Sequence, residues 1–203
     1  IIKAKGNIRI ENSDQNIQIL GDELTYFKKL EKIILNKNVK INYYKKVSFN
    51  TNKIIYIKDK EQIIIDSASN FEDSFGNKIT SDKSKFLLDE GLLKINSVEM
   101  KDEMNNKYFF KNALINFNND EIIADDIKID FFKNIFGNKD NDPRLRGNYL
   151  YSNNNQSLIK KGVFTTCKKN KDKCPPWQFK AHEIKHDKSK KTIYYKNAWL
   201  EIY

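Results

Sequence analysis

Two short stretches near the C-terminal end contain the residue types that most often do chemistry in proteins. Residues 182–186 read His-Glu-Ile-Lys-His and match the H-E-x-x-H pattern of zinc peptidases. In those enzymes a helix brings the two imidazoles onto one face to bind zinc, and the glutamate acts on the zinc-bound water. His182 and His186 are the only histidines of the chain, and Glu201 is a candidate third ligand.

A strand pattern over the same residues argues against this zinc site. The four residues that begin at Ala181 repeat a pattern of small residue, any residue, acid and aliphatic residue. In a strand, four residues span about 13 Å and the glutamate faces away from both histidines, so the imidazoles cannot share one ion. We therefore predict no catalytic residue, no metal site and no cofactor. A zinc metallopeptidase built on His182, Glu183 and His186 is the less favoured alternative.

Cys167 and Cys174 are the second candidate constellation. Two cysteines cannot complete a structural zinc site alone, and their spacing is not that of a C-x-x-C redox pair. They could close a loop by pairing with each other, or pair with cysteines of another segment or chain in an oxidising compartment. They could also be buried free thiols. The spacing leaves these three possibilities open.

The charge of the chain is strongly positive, at +10 over 203 residues. Only three of the 37 basic residues are arginines, and the lysines alternate with apolar residues as on a solvated strand face. A nucleic-acid-binding module is therefore less favoured, because arginine forks for bases and phosphates are nearly absent. No apolar run approaches the roughly 18 residues of a membrane-spanning helix. No secretory signal is visible, so we expect a fragment or a processed product.

Alternation of apolar and polar residues with period two dominates the chain and predicts half-buried β-strands. Clear alternating rows occur at 2–10, 33–43, 113–117, 127–131 and 192–202. Segment 22–35 fits either an amphipathic helix or two strands on local pattern alone. Residues 133–160 are rich in Gly, Asn, Asp and Pro, which predicts a long surface loop within one domain spanning 1–203.

Two degenerate patterns recur along the chain and decide the fold class. The acidic pattern begins at Gly21, Ala124 and Ala181, and an asparagine pattern (Asn, small or branched residue, any residue, apolar residue) begins at Asn7, Asn38, Asn112 and Asn197. In two places the acidic pattern precedes the asparagine pattern by 16 or 17 residues. This step fits two short strands and a turn, so we predict an all-β fold of repeated strand-turn-strand units. The repeat favours strands over 22–35.

The whole chain also resembles a known protein family, loosely through the repeats of 1–131 and specifically through 141–203. The relevant residues are Thr-Thr-Cys at 165–167, Cys-Pro-Pro-Trp at 174–177 and the strand-like run at 195–203, preceded by Asn-Asp-Pro-Arg-Leu-Arg-Gly at 141–147. Together they resemble the N-terminal periplasmic, OstA-like region of the LptD family of outer-membrane lipopolysaccharide-assembly proteins, in its alphaproteobacterial form. The repeats of the first 131 residues would fit the soluble bridge proteins of the same pathway equally well.

The resemblance implies a β-jellyroll, a V-shaped pair of antiparallel sheets whose groove carries the acyl chains of lipid A. It also implies a position on the periplasmic side of the outer membrane. The implied partners are lipopolysaccharide, a bridge protein of like fold docked by edge strands, and an outer-membrane barrel with its plug lipoprotein. That barrel is absent from the chain, which stops at Tyr203. Cys167 occupies the family's disulfide position, and Cys174 would pair with Cys167 or with the barrel.

The alternating rows agree with such a groove, since strands with one apolar face enclose an apolar space when two sheets do not close fully. No nucleotide-binding motif is present, so the motive force for transport would come from elsewhere. The residues that we predict to line the lipid-binding lumen are Ile8, Ile10, Val39, Ile41, Ala113, Ile115, Ile127 and Ile129.

Overall fold

The computed structural model describes residues 1–14, 16–169 and 175–203, and its regular structure is almost entirely β. The strands are β1 (Ile2–Asn12), β2 (Ile17–Phe27), β3 (Lys32–Tyr43), β4 (Val47–Ile57), β5 (Gln62–Ile65), β6 (Ser69–Asp73), β7 (Lys78–Ser81), β8 (Lys83–Leu87), β9 (Leu92–Lys101), β10 (Lys107–Asn116), β11 (Glu121–Asp130), β12 (Arg144–Ser152), β13 (Gln156–Thr165), β14 (Trp177–Asp187) and β15 (Thr192–Ile202). Single 3₁₀ turns at Lys28–Leu30 and Lys58–Lys60 follow β2 and β4. Within these residues no helix is long and apolar enough to cross a membrane.

The antiparallel sheet divides into two layers between β4 and β9. The first half of β4 pairs with β6, and its last residues pair with β5. The first half of β9 pairs with β8, and its second half pairs with β7. Because β5 also pairs with β8, and β6 with β7, two separate ladders connect β4 to β9. We call them the β5–β8 layer and the β6–β7 layer, and the long strands contribute one half to each.

The long strands pass from one layer to the other at bends near their middles. Register shifts occur between Leu20 and Glu23 of β2 and between Asn36 and Val39 of β3. Non-glycine residues with positive φ mark the bends of six strands, namely Asn7, Asn38, Ser97, Asp126, Lys161 and Asn197. Asparagine and aspartate tolerate this left-handed conformation best. At three of its four sites the asparagine pattern therefore begins at a bend.

Side-chain bridges connect the two sequence patterns at these bends. In each bridge, the second residue of an acidic pattern contacts the asparagine of the other pattern on the neighbouring strand. The pairs are Asp22–Asn38 (2.6 Å), Asp125–Asn112 (3.0 Å) and His182–Asn197 (3.3 Å). The repeat step of 16 or 17 residues is thus the distance along the chain from one bend, through a hairpin turn, to the next.

Small residues face the interior where the two layers converge. Ala113 of β10 lies opposite Ala124 of β11, and Gly162 of β13 lies opposite Ala181 of β14. A Cβ atom on Gly162 would lie 2.3 Å from Cδ1 of Ile184, closer than two carbon atoms can approach. Larger side chains at these positions would force the layers apart at their junction.

Aromatic rings fill the space between the layers at β3, β4 and β8. The Tyr43 ring of the β6–β7 layer packs edge-on against Phe86 of the β5–β8 layer, with centroids 4.5 Å apart. Phe49 and Phe117 each lie 5.8 Å from the same Phe86 ring. We call these four residues the aromatic cluster. Tyr43, Phe49 and Phe86 are almost completely buried, so the interior is closely packed at this point.

The all-β fold and the two strands over 22–35 are confirmed by the structure, but the predicted loop is too long. The irregular segment after β11 covers only 131–143, and β12 and β13 occupy most of 144–160. The polar residues after β12 form a tight turn, in which Asn153 Oδ1 accepts hydrogen bonds from the backbone of Asn155 and Gln156. Turn-forming residues in a hairpin and in a loop are alike in composition, which explains the error.

Candidate functional site

The apolar interior reaches the surface at the β15 edge. Among the described strands, β15 pairs only with β14. Tyr195 lies opposite the buried Ile184, and Leu200 lies opposite Phe179, which packs against the core. These pairings place one face of β15 on the interior side of the molecule. The apolar residues of this interior face are at least half exposed: Ile193 (50%), Tyr195 (50%), Leu200 (56%) and Ile202 (77%).

The opposite edge of the sheet is open in the same way. Within the described part of the chain, β1 pairs only with β2. Ile10 lies opposite Ile19, which is fully buried, so Ile10 faces the interior. Ile8 and Ile10 are half-buried against the core, whereas Ile2 is 56% exposed. As far as the described residues show, both edges therefore combine unpaired backbone groups with an uncovered apolar interior.

An apolar cavity of about 360 Å³ lies between the layers beyond the aromatic cluster. Its volume falls within the range of roughly 300–1,000 Å³ that is usual for ligand pockets. Both layers contribute apolar wall residues, among them Ile79, Val98, Met100, Phe110, Leu93 and Ile95. Phe117 of the aromatic cluster also lines the cavity.

A lysine bridge crosses the mouth of this cavity. Lys46, in the turn after β3, donates a hydrogen bond from Nζ to the carbonyl of Phe117. The same Nζ lies 3.1 Å from Oδ1 of Asp120, in the turn after β10. The hydrogen bond from Lys46, with a second from Asn154, lowers the pKa of Asp120. The contact joins a turn of the β6–β7 layer to a turn of the β5–β8 layer.

Lys188 lies at the same mouth, in the turn after β14. The residue is exposed, and its Nζ donates hydrogen bonds to Ser152 Oγ and to the carbonyl of Asn153. Desolvation of the ammonium group lowers the pKa of Lys188. Within the described residues, no carboxylate forms an ion pair with it. Its contacts are thus neutral oxygen atoms, whereas Lys46 contacts a carboxylate as well as a carbonyl.

All eight predicted lumen residues belong to the interior of the molecule. Five are buried in the core, namely Val39, Ile41, Ala113, Ile127 and Ile129. Ile8, Ile10 and Ile115 are half-buried and pack against it. Ala113 and Ile115 line the cavity. Contact of any of the eight with lipid stays a prediction.

The histidines of the zinc-peptidase motif lie on a strand. The His182 ring packs edge-on against the Trp199 ring on the outer face of the sheet, with ring centroids 5.7 Å apart. His186 lies opposite Ile193 on the neighbouring strand. The helix that this motif requires is therefore not formed. No group of three His, Cys, Asp or Glu side chains is suited to a metal within the described ranges.

Glu201, the candidate third zinc ligand, is instead the centre of a hydrogen-bonded group on the outer face of β15. Lys180 Nζ lies 2.7 Å from its carboxylate, and Tyr203, Trp199 and Gln178 also donate to it. The hydrogen bond from Lys180, reinforced by the other three donors, holds the pKa of Glu201 at about 2. The carboxylate therefore stays charged and fixes the outer surface of the β14–β15 pair.

Cys167 is half-buried just after β13. Its Sγ lies 3.8 Å from the carbonyl of Trp177, and its own carbonyl accepts a hydrogen bond of 2.6 Å from Arg144. Cys174 lies outside the described residues. The predicted disulfide of Cys167 and Cys174 therefore stays a prediction.

The residues at the cavity mouth were not identified from the sequence. Lys46, Asp120 and Lys188 all lie in turns between strands. Lysine and aspartate are common in turns of this chain, so residue type alone does not separate these three from their neighbours. The aromatic residues Tyr43 and Phe117, at the ends of alternating rows, are a signal that could have indicated where turns of the two layers meet.

No protein-family model and no curated protein sequence matches the chain. Among solved structures, it is similar to LptH, the LptA homologous periplasmic component of the conserved lipopolysaccharide transport device from Pseudomonas aeruginosa. The TM-score is 0.43 at 11% sequence identity, over 51% of this chain and 77% of that one. Values this low do not establish a shared family or function.

Proposed function

We propose that this chain is a periplasmic lipopolysaccharide-conducting domain, which receives lipid A acyl chains between its two layers and passes them toward an outer-membrane barrel. The observation that carries the proposal is the apolar interior that is left uncovered at β15, where Leu200 and Ile202 are more than half exposed. Burial of an acyl chain gains about 0.8 kcal/mol per CH₂, so such a surface binds lipid without any catalytic group.

The path of the acyl chains would follow the open side of the two layers. The interior at Tyr43, Phe49 and Phe86 is filled by side chains, so a straight passage through the centre would require those rings to move. The lumen wall in this proposal consists of the eight predicted residues, with Ile8 and Ile10 near the β1 edge and Ala113 and Ile115 at the cavity.

The partners of the domain would dock at its edges. Unpaired backbone groups on β1 and β15 can add the edge strand of a periplasmic bridge protein of like fold. The resemblance of 141–203 to the LptD family supports a further connection to an outer-membrane barrel and its plug lipoprotein. In that setting Cys167 or Cys174 would form a disulfide with the barrel, on the periplasmic side of the outer membrane.

A soluble bridge protein of the same pathway is the second candidate function. The observation in its favour is that both edge strands are open, so the chain could pair with a like-folded partner on each side. A bridge protein should associate end to end as its concentration rises, whereas the terminal domain before a barrel should not. Sedimentation velocity over a concentration series separates the two.

Two variants of β15 test the proposed function. Leu200→Asp places a charge on the interior face, and Tyr194→Asp places the same charge on the outer face at similar exposure. We expect Leu200→Asp to weaken binding of lipid A by the purified chain at least about tenfold, because a carboxylate would be desolvated against the acyl chains. Tyr194→Asp should bind like the unmodified chain. Equal affinities of the two folded variants would contradict the proposed groove.

A further inference from the structure

The cavity beyond the aromatic cluster is partly enclosed between the two layers. Apolar side chains such as Ile79, Val98, Phe110, Ile115 and Phe117 line its wall, and polar residues of the neighbouring turns complete the lining. At about 360 Å³ its volume is near the lower end of the range for ligand pockets. It has room for one acyl chain and not for the several chains of a complete lipid A.

The charged residues that line the cavity are Lys46, Lys188, Asp120 and Asp73, and their partners differ. The Asp73 carboxylate accepts hydrogen bonds from Phe75 and Asn77 within its own turn. The Lys46 ammonium is already neutralised, since it forms an ion pair with Asp120 at 3.1 Å. The Lys188 ammonium is held in place by Ser152 Oγ and the carbonyl of Asn153, neither of which carries a charge. Lys188 is therefore a fixed cation at the mouth with no carboxylate partner in the described part of the chain.

A cation that is held by neutral oxygen atoms beside a largely apolar wall is the complement of an anionic amphiphile. An anion that binds there forms a charge-assisted hydrogen bond, which is stronger than a hydrogen bond between neutral groups. A lysine ammonium recognises the negative charge as a point charge and not by the shape of the anion.

We propose that this cavity binds one acyl chain whose anionic headgroup is held at the mouth by Lys188. The inference rests on the proposed function, because it assumes that acyl chains occupy the space between the layers. It adds a defined ligand class, a single-chain anionic amphiphile or one chain and the adjoining phosphate of a larger lipid. It also assigns headgroup recognition to one residue.

Isothermal titration calorimetry with the purified chain tests this site. Three probes are compared: dodecyl phosphate and the neutral dodecyl maltoside, each below its critical micelle concentration, and inorganic phosphate. We expect one equivalent of dodecyl phosphate to bind, about tenfold or more tightly than dodecyl maltoside. Inorganic phosphate alone should bind much more weakly than dodecyl phosphate, because it lacks the tail.

Variants in the turn after β14 identify the recognising residue. Lys188→Gln should lower the affinity for dodecyl phosphate to that for dodecyl maltoside. Lys190→Gln removes the same charge from the same turn, where the lysine lies 3.9 Å from Asp187 and does not line the cavity. It should leave both affinities unchanged. Ile115→Trp, which fills the cavity from its wall, should weaken binding of both amphiphiles, and circular dichroism confirms that each variant is folded.

Several results would overturn the assignment. Equal losses of affinity for dodecyl phosphate in Lys188→Gln and Lys190→Gln would indicate general attraction of the anion to a basic chain. Unchanged binding of both amphiphiles in Ile115→Trp would exclude the cavity as the binding site. Inorganic phosphate that binds as tightly as dodecyl phosphate would indicate a site for free anions. In each case binding of the neutral amphiphile would leave the proposed function intact, whereas failure of the folded chain to bind either amphiphile would contradict that function as well.

Discussion

Asp125 shows how one carboxylate can stabilise a bend in a long strand. Its two oxygen atoms accept hydrogen bonds from the backbone N–H of Asn112 at 2.7 Å and from the Asn112 side chain at 3.0 Å. The ladder between β10 and β11 is interrupted here, because the strands pass between layers. The side chain therefore satisfies a backbone donor that the ladder cannot.

Removal of this carboxylate should destabilise the fold. We predict that Asp125→Ala lowers the free energy of unfolding by about 1–3 kcal/mol, because a partly buried backbone donor loses its charged acceptor. Urea denaturation measures the change.

The neighbouring acid provides a matched control for Asp125→Ala. The side chain of Asp126 is 60% exposed and lies 3.9 Å from Lys111, and the residue has a φ of 48°. Asp126→Asn removes one charge and keeps a residue that tolerates left-handed φ, so it should change stability by less than about 0.5 kcal/mol. A larger loss of unfolding free energy in Asp126→Asn than in Asp125→Ala would show that the side-chain bridges between acid and asparagine do not stabilise the bends.

The recurrence of the two patterns could be recognised from the sequence, but their role could not. Alternation around Asn38 and Asn197 predicts strands, and the structure confirms them. Hydrogen bonds between Asp22 and Asn38 depend on strand register, which the sequence leaves open. The contacts of Lys188 with Ser152 and Asn153 likewise depend on which turns lie next to each other in space.

At the scale of elements, the turns of the two layers form the boundary of the interior at the cavity. Within each layer, neighbouring turns are joined by backbone hydrogen bonds, as from Phe117 N–H to the Gly91 carbonyl at 2.9 Å. Between the layers, the bridge to the Phe117 carbonyl and the Asp120 carboxylate depends on a single side chain, that of Lys46. Such a contact can break without loss of any strand pairing, which suits an entrance for lipid.

We predict that Lys46→Met loosens this entrance without unfolding the protein. Amide hydrogen exchange at 117–120 should become faster, while the free energy of unfolding changes by no more than about 1 kcal/mol, as is usual for exposed ion pairs. Lys45→Met is the control, because Lys45 is exposed in the same turn. Equal exchange rates at 117–120 in both variants would show that the bridge does not close the mouth.

The short elements explain most of what the sequence could not predict about the fold. β5 and β7 have four residues each, too few for a period to be recognised. These strands, with β6 and β8, divide the sheet into two layers. The V-shaped arrangement was therefore expected from family resemblance and could not be derived from alternation.

At the scale of the whole molecule, the two layers form a sandwich that is left open. The core between β3 and β11 is densely packed, with Leu35, Ile63 and Phe86 almost completely buried. Toward β15 the burial falls until the interior residues of that strand are half exposed or more. A soluble protein rarely leaves such a surface uncovered without a ligand or partner for it. This gradient is the basis of the proposed lipid-conducting function.

Binding of lipid A to the purified chain, measured by Trp177 and Trp199 fluorescence, tests this central claim most directly. Trp177 lies opposite Ile202 of the interior face and reports the binding, whereas Trp199 lies on the outer face and provides a reference signal. We predict saturable binding of lipid A that persists in high salt and is lost when a detergent competes, because apolar contact is not screened by ions. Binding that disappears in high salt, or no binding by the folded chain, would contradict it.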